Sequence, residues 1–374
     1  MRKNIFTVVF ILFILNDISA QMTFSGVLDS TGAVTAVVED TPDFSYGFEQ
    51  FANLRFQSRL RESGTFFGAV NLIAASGSYA AAAKETADLA EGNAPVNINS
   101  TSYFFGENYI FGIELERLYF RLNFEHTDLD AGLFRLPFGY SQVWGPSDFL
   151  NPKNPLKPDA RPRGILGAAL AWYPIDEIKL LGFFAGPRDV LSEDGKGSLF
   201  GVSLDRHWDR ASVQALYSFE TPQTGSQNGI HRTGLSLKAD IEIDLVIDAL
   251  YTYNQEAKTE MDGLSFSIGA DYSFFGGNLI VLAEYLYNGE TSSTALGYGG
   301  DFINNHYLYT GFTWRFNDFT NMSLALISGL DDTSFTPIAS LNHELFQGVT
   351  LTITAQYPLD YDYFNSTVRL RLRF

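Results

Sequence analysis

Arginines recur at alternate or fourth positions in three stretches of this chain. Arg55 and Arg59 fall in one, Arg117 and Arg121 in a second, and Arg369, Arg371 and Arg373 close the sequence. Alternate side chains of an extended strand point to opposite faces, so each set would stand on a single face. A row of guanidinium groups can bind anions through paired N–H donors, or it can hold carboxylates in ion pairs that stiffen a wall. Glu49, Glu116, Asp244, Asp248, Asp271 and Glu284 are candidate interior partners for the second use. Both uses stay open at this level.

Other chemistry is thinly represented. The five histidines, His126, His207, His231, His306 and His343, are scattered and show no metal-ligand spacing. His306 and His343 lie near Ser or Asp, but nothing in the sequence positions them for hydrolysis. Asp331 with Asp332, or Asp360 with Asp362, could hold calcium at a rim, although solvated loop charge is the simpler reading. No catalytic residue, metal or cofactor is expected. Cysteine is absent, so there is no disulfide framework. A formal charge of −18 argues against nucleic acid as a partner.

The elements that must carry the arginines read as β-strands. From Phe364 to Phe374, Phe364, Val368, Leu370, Leu372 and Phe374 alternate with Asn365, Thr367 and the three arginines. Ala52, Leu54, Phe56 and Leu60 alternate with Asn53, Arg55, Gln57 and Arg59. The stretches 264–272, 308–316 and 349–357 repeat the pattern. Short turns, such as 126–128, 174–177, 207–210 and 276–278, alternate with long connections such as 80–108, 140–163 and 288–305. Strands of about ten residues, short turns on one side and long loops on the other fit a transmembrane antiparallel β-barrel of about 18 strands, with about 16 as the alternative. A soluble sandwich or propeller is the competing class, but no blade repeat is visible.

The first strand lies within residues 22–39, and Asp29-Ser30-Thr31-Gly32 could split it with a turn. Arg2 and Lys3, the apolar run 5–15 and the small residues before Gln21 read as a signal peptide over residues 1–20. Residues 21–374 then form one barrel domain.

Residues 140–163 carry five prolines together with Lys153, Lys157, Arg161 and Arg163. A stiff connection of this length needs a surface to pack on. The interior of the barrel offers one, so the segment is expected to fold inward, bringing Tyr140, Trp144 and Asp148 with it. Glu114 and Glu116 differ in parity from Arg117, which predicts a bulge near Glu116. Arg135 follows a similar slip after Leu133. The expected pore-lining and constriction set is Arg55, Arg59, Arg117, Tyr119, Arg121, Arg135, Trp144, Asp148, Lys153, Lys157, Arg161, Arg163, Arg369 and Arg371.

Leu118-Tyr119, Gly132-Leu133-Phe134-Arg135-Leu136-Pro137-Phe138-Gly139, Trp144-Gly145-Pro146-Ser147-Asp148-Phe149 and Asn151-Pro152 resemble a pattern in single-chain bacterial outer-membrane porins. The nearest groups are the phosphate-selective and alginate-export-like porins. The match covers roughly residues 115–165 and departs from the family at Leu136-Pro137-Phe138-Gly139, where a Gln often stands near the arginine. The resemblance implies a channel in the outer membrane for diffusion of small hydrophilic solutes; the lumenal rows of arginine would favour anions if they are not held in ion pairs. Its implied partners are outer-membrane lipids, lipopolysaccharide and the β-barrel assembly machinery, which would read the final strand ending in Phe374. A surface receptor or adhesin that binds through acidic outer loops is the alternative, and a barrel enzyme is a third.

Overall fold

A computed structural model describes residues 22–37, 43–60, 63–81, 102–151, 153–156, 164–186, 197–222, 229–254, 263–289, 304–358 and 363–374. The proposed signal peptide lies outside these residues. The strands are β1 (Met22–Val37), β2 (Asp43–Leu60), β3 (Gly64–Gly77), β4 (Ser102–Phe105), β5 (Tyr109–Phe124), β6 (Thr127–Phe134), β7 (Ile165–Ile175), β8 (Ile178–Ala185), β9 (Leu199–Trp208) and β10 (Ala211–Glu220). They continue as β11 (Ile230–Asp240), β12 (Asp244–Asn254), β13 (Leu264–Phe274), β14 (Leu279–Asn288), β15 (His306–Asn317), β16 (Thr320–Gly329), β17 (Phe335–Phe346), β18 (Val349–Gln356) and β19 (Tyr363–Arg373).

Eighteen of these strands pair antiparallel with their neighbours and close into a barrel. Closure joins β19 to β1, with Arg373 opposite Val27 and Tyr363 opposite Val37. The final residue completes the seam: Gly26 N–H donates to the Phe374 carbonyl at 2.8 Å, and Phe374 N–H donates back to Gly26 at 3.1 Å. A closed sheet leaves no free edge strand, so the ladder hydrogen bonds of the wall are made within the protein. The nineteenth strand, β4, lies inside the expected long loop 80–108. It pairs with the outer end of β5, over Ile110–Ile113, on the edge opposite β3. Its place is explained by β6, which stops at Phe134 and leaves that part of the β5 edge unpaired.

Two local expectations meet the coordinates differently. The register between β3 and β5 passes over Glu116, with Ala69 opposite Arg117 and Val70 opposite Leu115. This bulge returns Glu114, Glu116 and Arg117 to one face. By contrast, Asp29-Ser30-Thr31-Gly32 forms no turn. β1 runs unbroken because β2 on one side and β19 on the other pair through all four residues.

The parity expected from sequence holds around the ring. Phe24, Leu54, Val202, Leu235, Ile268, Phe312 and Val368 are exposed on the outer face. Asn53, Asn71, Ser203, Asp248, Ser267 and Glu284 are buried on the inner one. An apolar outside and a polar inside invert the soluble arrangement, and the inversion is stable only where lipid covers the outer face.

Candidate functional site

After Phe134 the chain leaves the wall and enters the lumen, where residues 135–151 and 153–156 lie against the inner faces of β8 through β16. The small inward residues of β7, Gly167, Ala169 and Ala171, leave room at its root. Phe138 packs on Phe183 of β8 at 5.2 Å between centroids and stacks on Phe149 at 6.2 Å. Gly139 and Gly145 adopt positive φ, +78° and +57°, where a side chain would be strained. A Cβ at Gly139 would also collide with the Asp248 carboxylate.

From that root the segment is fastened strand by strand. Gly139 N–H donates to Gln214 Oε1 of β10 at 2.7 Å. Ser147 donates its hydroxyl to Asp248 of β12, and Ser236 of β11 donates to the same oxygen at 2.8 Å. Gln142 Nε2 donates to Asp271 of β13 at 2.6 Å.

The densest attachment is Glu284 of β14, itself 2% exposed. It accepts the Ser141 hydroxyl and the backbone N–H groups of Gln142, Val143 and Trp144, at 3.2, 3.0 and 2.9 Å for the three amides. The carboxylate thus neutralises a run of orphan donors that a non-helical backbone cannot satisfy itself. Just beyond, Trp144 is fully buried against Leu286, Tyr307 of β15 and Ile327 of β16. Lys153 folds back to donate to the Ser141 carbonyl. Within the segment, Asp148 accepts from Phe138 N–H at 3.1 Å, and Asn151 bridges to the Leu136 carbonyl at 2.7 Å. Burial pushes the Asp148 carboxyl up to about 7, against the pull of the Phe138 N–H, Asn151 and Lys153.

The arginines gather across the lumen. β2 and β12 stand half the ring apart, and the expected pore-lining arginines of the described residues cluster on β19, β2, β5 and the start of the infolded segment, whereas Arg232 of β11 lies on the clamping side, 5.0 Å from the Phe149 ring centre. Most of them have carboxylate partners. Arg371 grips Asp29 of β1 with two hydrogen bonds, at 2.8 and 2.7 Å. Arg121 grips Asp130 of β6 with two at 2.7 Å. Arg135 and Arg117 share Glu116, at 2.9 and 3.6 Å. Asn53 and Asn71 extend this cluster to Glu114.

Arg55 donates to Asn53 at 2.5 Å, and neither it nor Arg59 has a carboxylate within ion-pair distance among the described residues. Arg369 stands opposite Thr31 and Thr352. Tyr119 packs between Phe67 and Phe134, with the Arg121 guanidinium 5.8 Å from its ring centre. Lys157, Arg161 and Arg163 lie outside the described residues.

One expectation is corrected here. Asp248, Asp271 and Glu284 hold the infolded segment rather than the arginines, while Glu116 pairs with arginines as expected. Asp244 lies 3.9 Å from Lys238. The sequence carried a usable signal: β12, β13 and β14 contain no Lys or Arg of their own. Their inward carboxylates therefore required partners from beyond these three strands. Ser141, Ser147, Ser236 and Gln214 were not anticipated, since small polar residues in loops and strands carry no distinguishing pattern. No group of three or more potential metal ligands occurs among the described residues.

No family model matches this sequence, and no curated protein matches it. Solved structures match over nearly the whole chain. OccAB4 of Acinetobacter baumannii aligns with a TM-score of 0.57 at 12% identity, covering 95% of this chain and 98% of the other. The outer membrane protein OpdK of Pseudomonas aeruginosa gives 0.56 at 9%, with the same coverage. OccK5 (OpdH) of Pseudomonas aeruginosa gives 0.56 at 12%, again covering 95% and 98%. At these identities the likeness is one of fold: the chain folds as the closed, 18-stranded barrel of bacterial outer-membrane porins.

Proposed function

We propose that this protein is an outer-membrane channel through which small hydrophilic solutes diffuse, with a preference for anions set at its narrowest level. The observation that carries this reading is the placement of the segment that follows Phe134. It is clamped by the carboxylates of Asp248, Asp271 and Glu284 on β12–β14 and by Gln214 on β10, and it faces a wall that bears Arg55, Arg59, Arg117, Arg121, Arg369 and Arg371, with Arg135 at its own start. The segment narrows the lumen from one side, so a passing solute is pressed toward the arginines on the other. Asp248 and Glu284 of the clamping wall are buried beneath the segment and occupied by serine hydroxyls and backbone amides, so their oxygens are not offered to a passing cation. Arg55 and Arg59, which have no carboxylate partner among the described residues, offer donors to a solute, whereas the paired arginines shape and stiffen the wall. Translocation needs no covalent step, metal or cofactor. Residues 1–20 would direct export.

Proteoliposome swelling tests this reading. The chain should admit small sugars and small organic anions, excluding larger sugars first and admitting anions faster than neutral solutes of equal size. Liposomes that do not swell in any solute would point instead to a sealed receptor barrel.

A further inference from the structure

The lipid-facing surface is apolar around most of the ring apart from scattered hydroxyls such as Thr233, Thr310 and Ser366, and its one amide in the middle of the band among the described residues lies on β2, beside Ser30 of β1. Ser30 and Gln50 both have outward parity and stand directly opposite each other. Ser30 donates its hydroxyl to Gln50 Oε1 at 2.9 Å. They sit within the band, with Phe24, Leu28 and Leu54 toward one rim and Val34, Tyr46 and Phe48 toward the other, all exposed. Among the described residues, no other amide or charged side chain occupies the middle of the outer face. Arg206, His231, His306 and His343 all lie near strand ends. The Gln50 acceptor is used by Ser30, but its two amide N–H donors have no partner among the described residues. A primary amide facing hydrocarbon with unused donors is expensive, because lipid offers nothing to accept them.

The surroundings let another surface come close. Gly32 is adjacent on the same face, and a Cβ placed there would meet nothing within 4 Å. Ala36, Ala52 and Ala74 also share this outer parity, so the patch is a shallow hollow rimmed by aromatic side chains. An amide is both donor and acceptor, and is therefore its own complement across a twofold axis.

We propose that the β1–β2 face is the contact between two copies of this chain, related by a twofold axis along the membrane normal that passes beside Gln50. Each Gln50 N–H donates to the acceptors of the other copy, Gln50 Oε1 or Ser30 Oγ. Gly32 and the alanines let the two walls approach, as small residues do between packed segments in bilayers. Other lipid-facing sectors, such as Ile247 and Leu235 on β12 and β11, offer no such group and stay in lipid.

The chain has no cysteine, so single-cysteine cross-linking in native outer membranes is free of background. Gln50→Cys should yield a disulfide-linked dimer under mild oxidation, while Ile247→Cys, outward on the far wall, should stay monomeric. Gln50→Leu, which suits lipid and keeps the barrel, should lose the doubled mass that the wild-type protein shows after chemical cross-linking in the same membranes. Absence of a dimer at position 50, equal cross-linking at both positions, or a Gln50→Leu protein that still cross-links as a dimer would each overturn the proposal. A thiol in the Gln50→Cys variant that is shielded from a lipid-soluble maleimide yet forms no dimer would also overturn it, because the cover would then be lipid or a different protein.

Discussion

Replacing Glu284 by alanine should release the infolded segment without opening the barrel. The substitution removes the acceptor for the Ser141 hydroxyl and for three backbone N–H groups at 2.9–3.2 Å. Hydrogen bonds to a charged group contribute about 1.5–3 kcal/mol each, but bonds that share one acceptor do not add in full. Stranding several buried donors together costs about 3–5 kcal/mol, the range for removing one partner from a buried charged network. At roughly 1.4 kcal/mol per factor of ten, the docked-to-undocked ratio falls by about two to three and a half orders of magnitude. The wall itself is spared, because β14 is held to β13 and β15 by backbone pairing that does not involve this side chain. Single-channel recording in planar bilayers reads the effect, and heat-modifiable migration on gels confirms that the barrel is folded. The expected record shows a larger mean conductance and open-state noise from microsecond to millisecond loop motion. Glu284→Gln keeps one carbonyl acceptor but turns an NH2 group toward the same donors, so it should fall between wild type and alanine. A folded Glu284→Ala channel with wild-type conductance and noise would refute the clamp.

Four further outcomes follow from the same geometry. Removing Arg55 and Arg59 should lower anion preference, and Glu116→Gln, which frees Arg117 and Arg135 from their shared carboxylate, should raise it. At roughly 0.5–1 kcal/mol per charge in a water-filled lumen, the one-charge Glu116→Gln change shifts the anion-to-cation permeability ratio about two- to fivefold and loss of both arginines about five- to thirtyfold, as read from reversal potentials in a salt gradient. The Asp148 carboxyl is raised by burial from 3.8 to about 7, so the docked segment holds this proton more tightly than the undocked one. Docking is therefore fully supported below pH 3.8 and weakens as pH rises through about 7; open-channel noise should climb across that window, and Asp148→Asn should flatten the climb. Trp144→Ala empties a fully buried site and should loosen the tip of the segment by about 3–5 kcal/mol, giving noise like that of Glu284→Ala but without a pH window of its own.

The barrel was legible in the sequence because a strand that separates lipid from water must alternate, and alternation survives in a single chain. Phe364–Phe374 carries it cleanly, as does the Leu54, Phe56 against Arg55, Arg59 stretch. The Glu116 bulge was legible for the same reason, since a break in parity inside a regular strand has few other causes. β4 was not legible: four residues, Ser102–Phe105, inside a long polar connection give no period to read. The inward course of residues 140–151 and 153–156 could be anticipated from the prolines of the 140–163 connection and the lack of any other surface to pack on. Its fastening could not. Ser141 and Glu284 are 143 residues apart, and no local pattern links a loop serine to a strand carboxylate on the far side of a ring. The arginines illustrate the same limit, because parity put them on the inner face but did not say which would find a carboxylate. Arg371 and Arg121 did so through cross-strand neighbours, Asp29 and Asp130, whose register depends on closure and turn length.

The most direct test of the account is the current through the wild-type chain in a planar bilayer. Stepwise, ohmic conductance increments, with a reversal potential of anion-selective sign in a salt gradient, are predicted. Correctly folded barrels that insert and carry no current would contradict it.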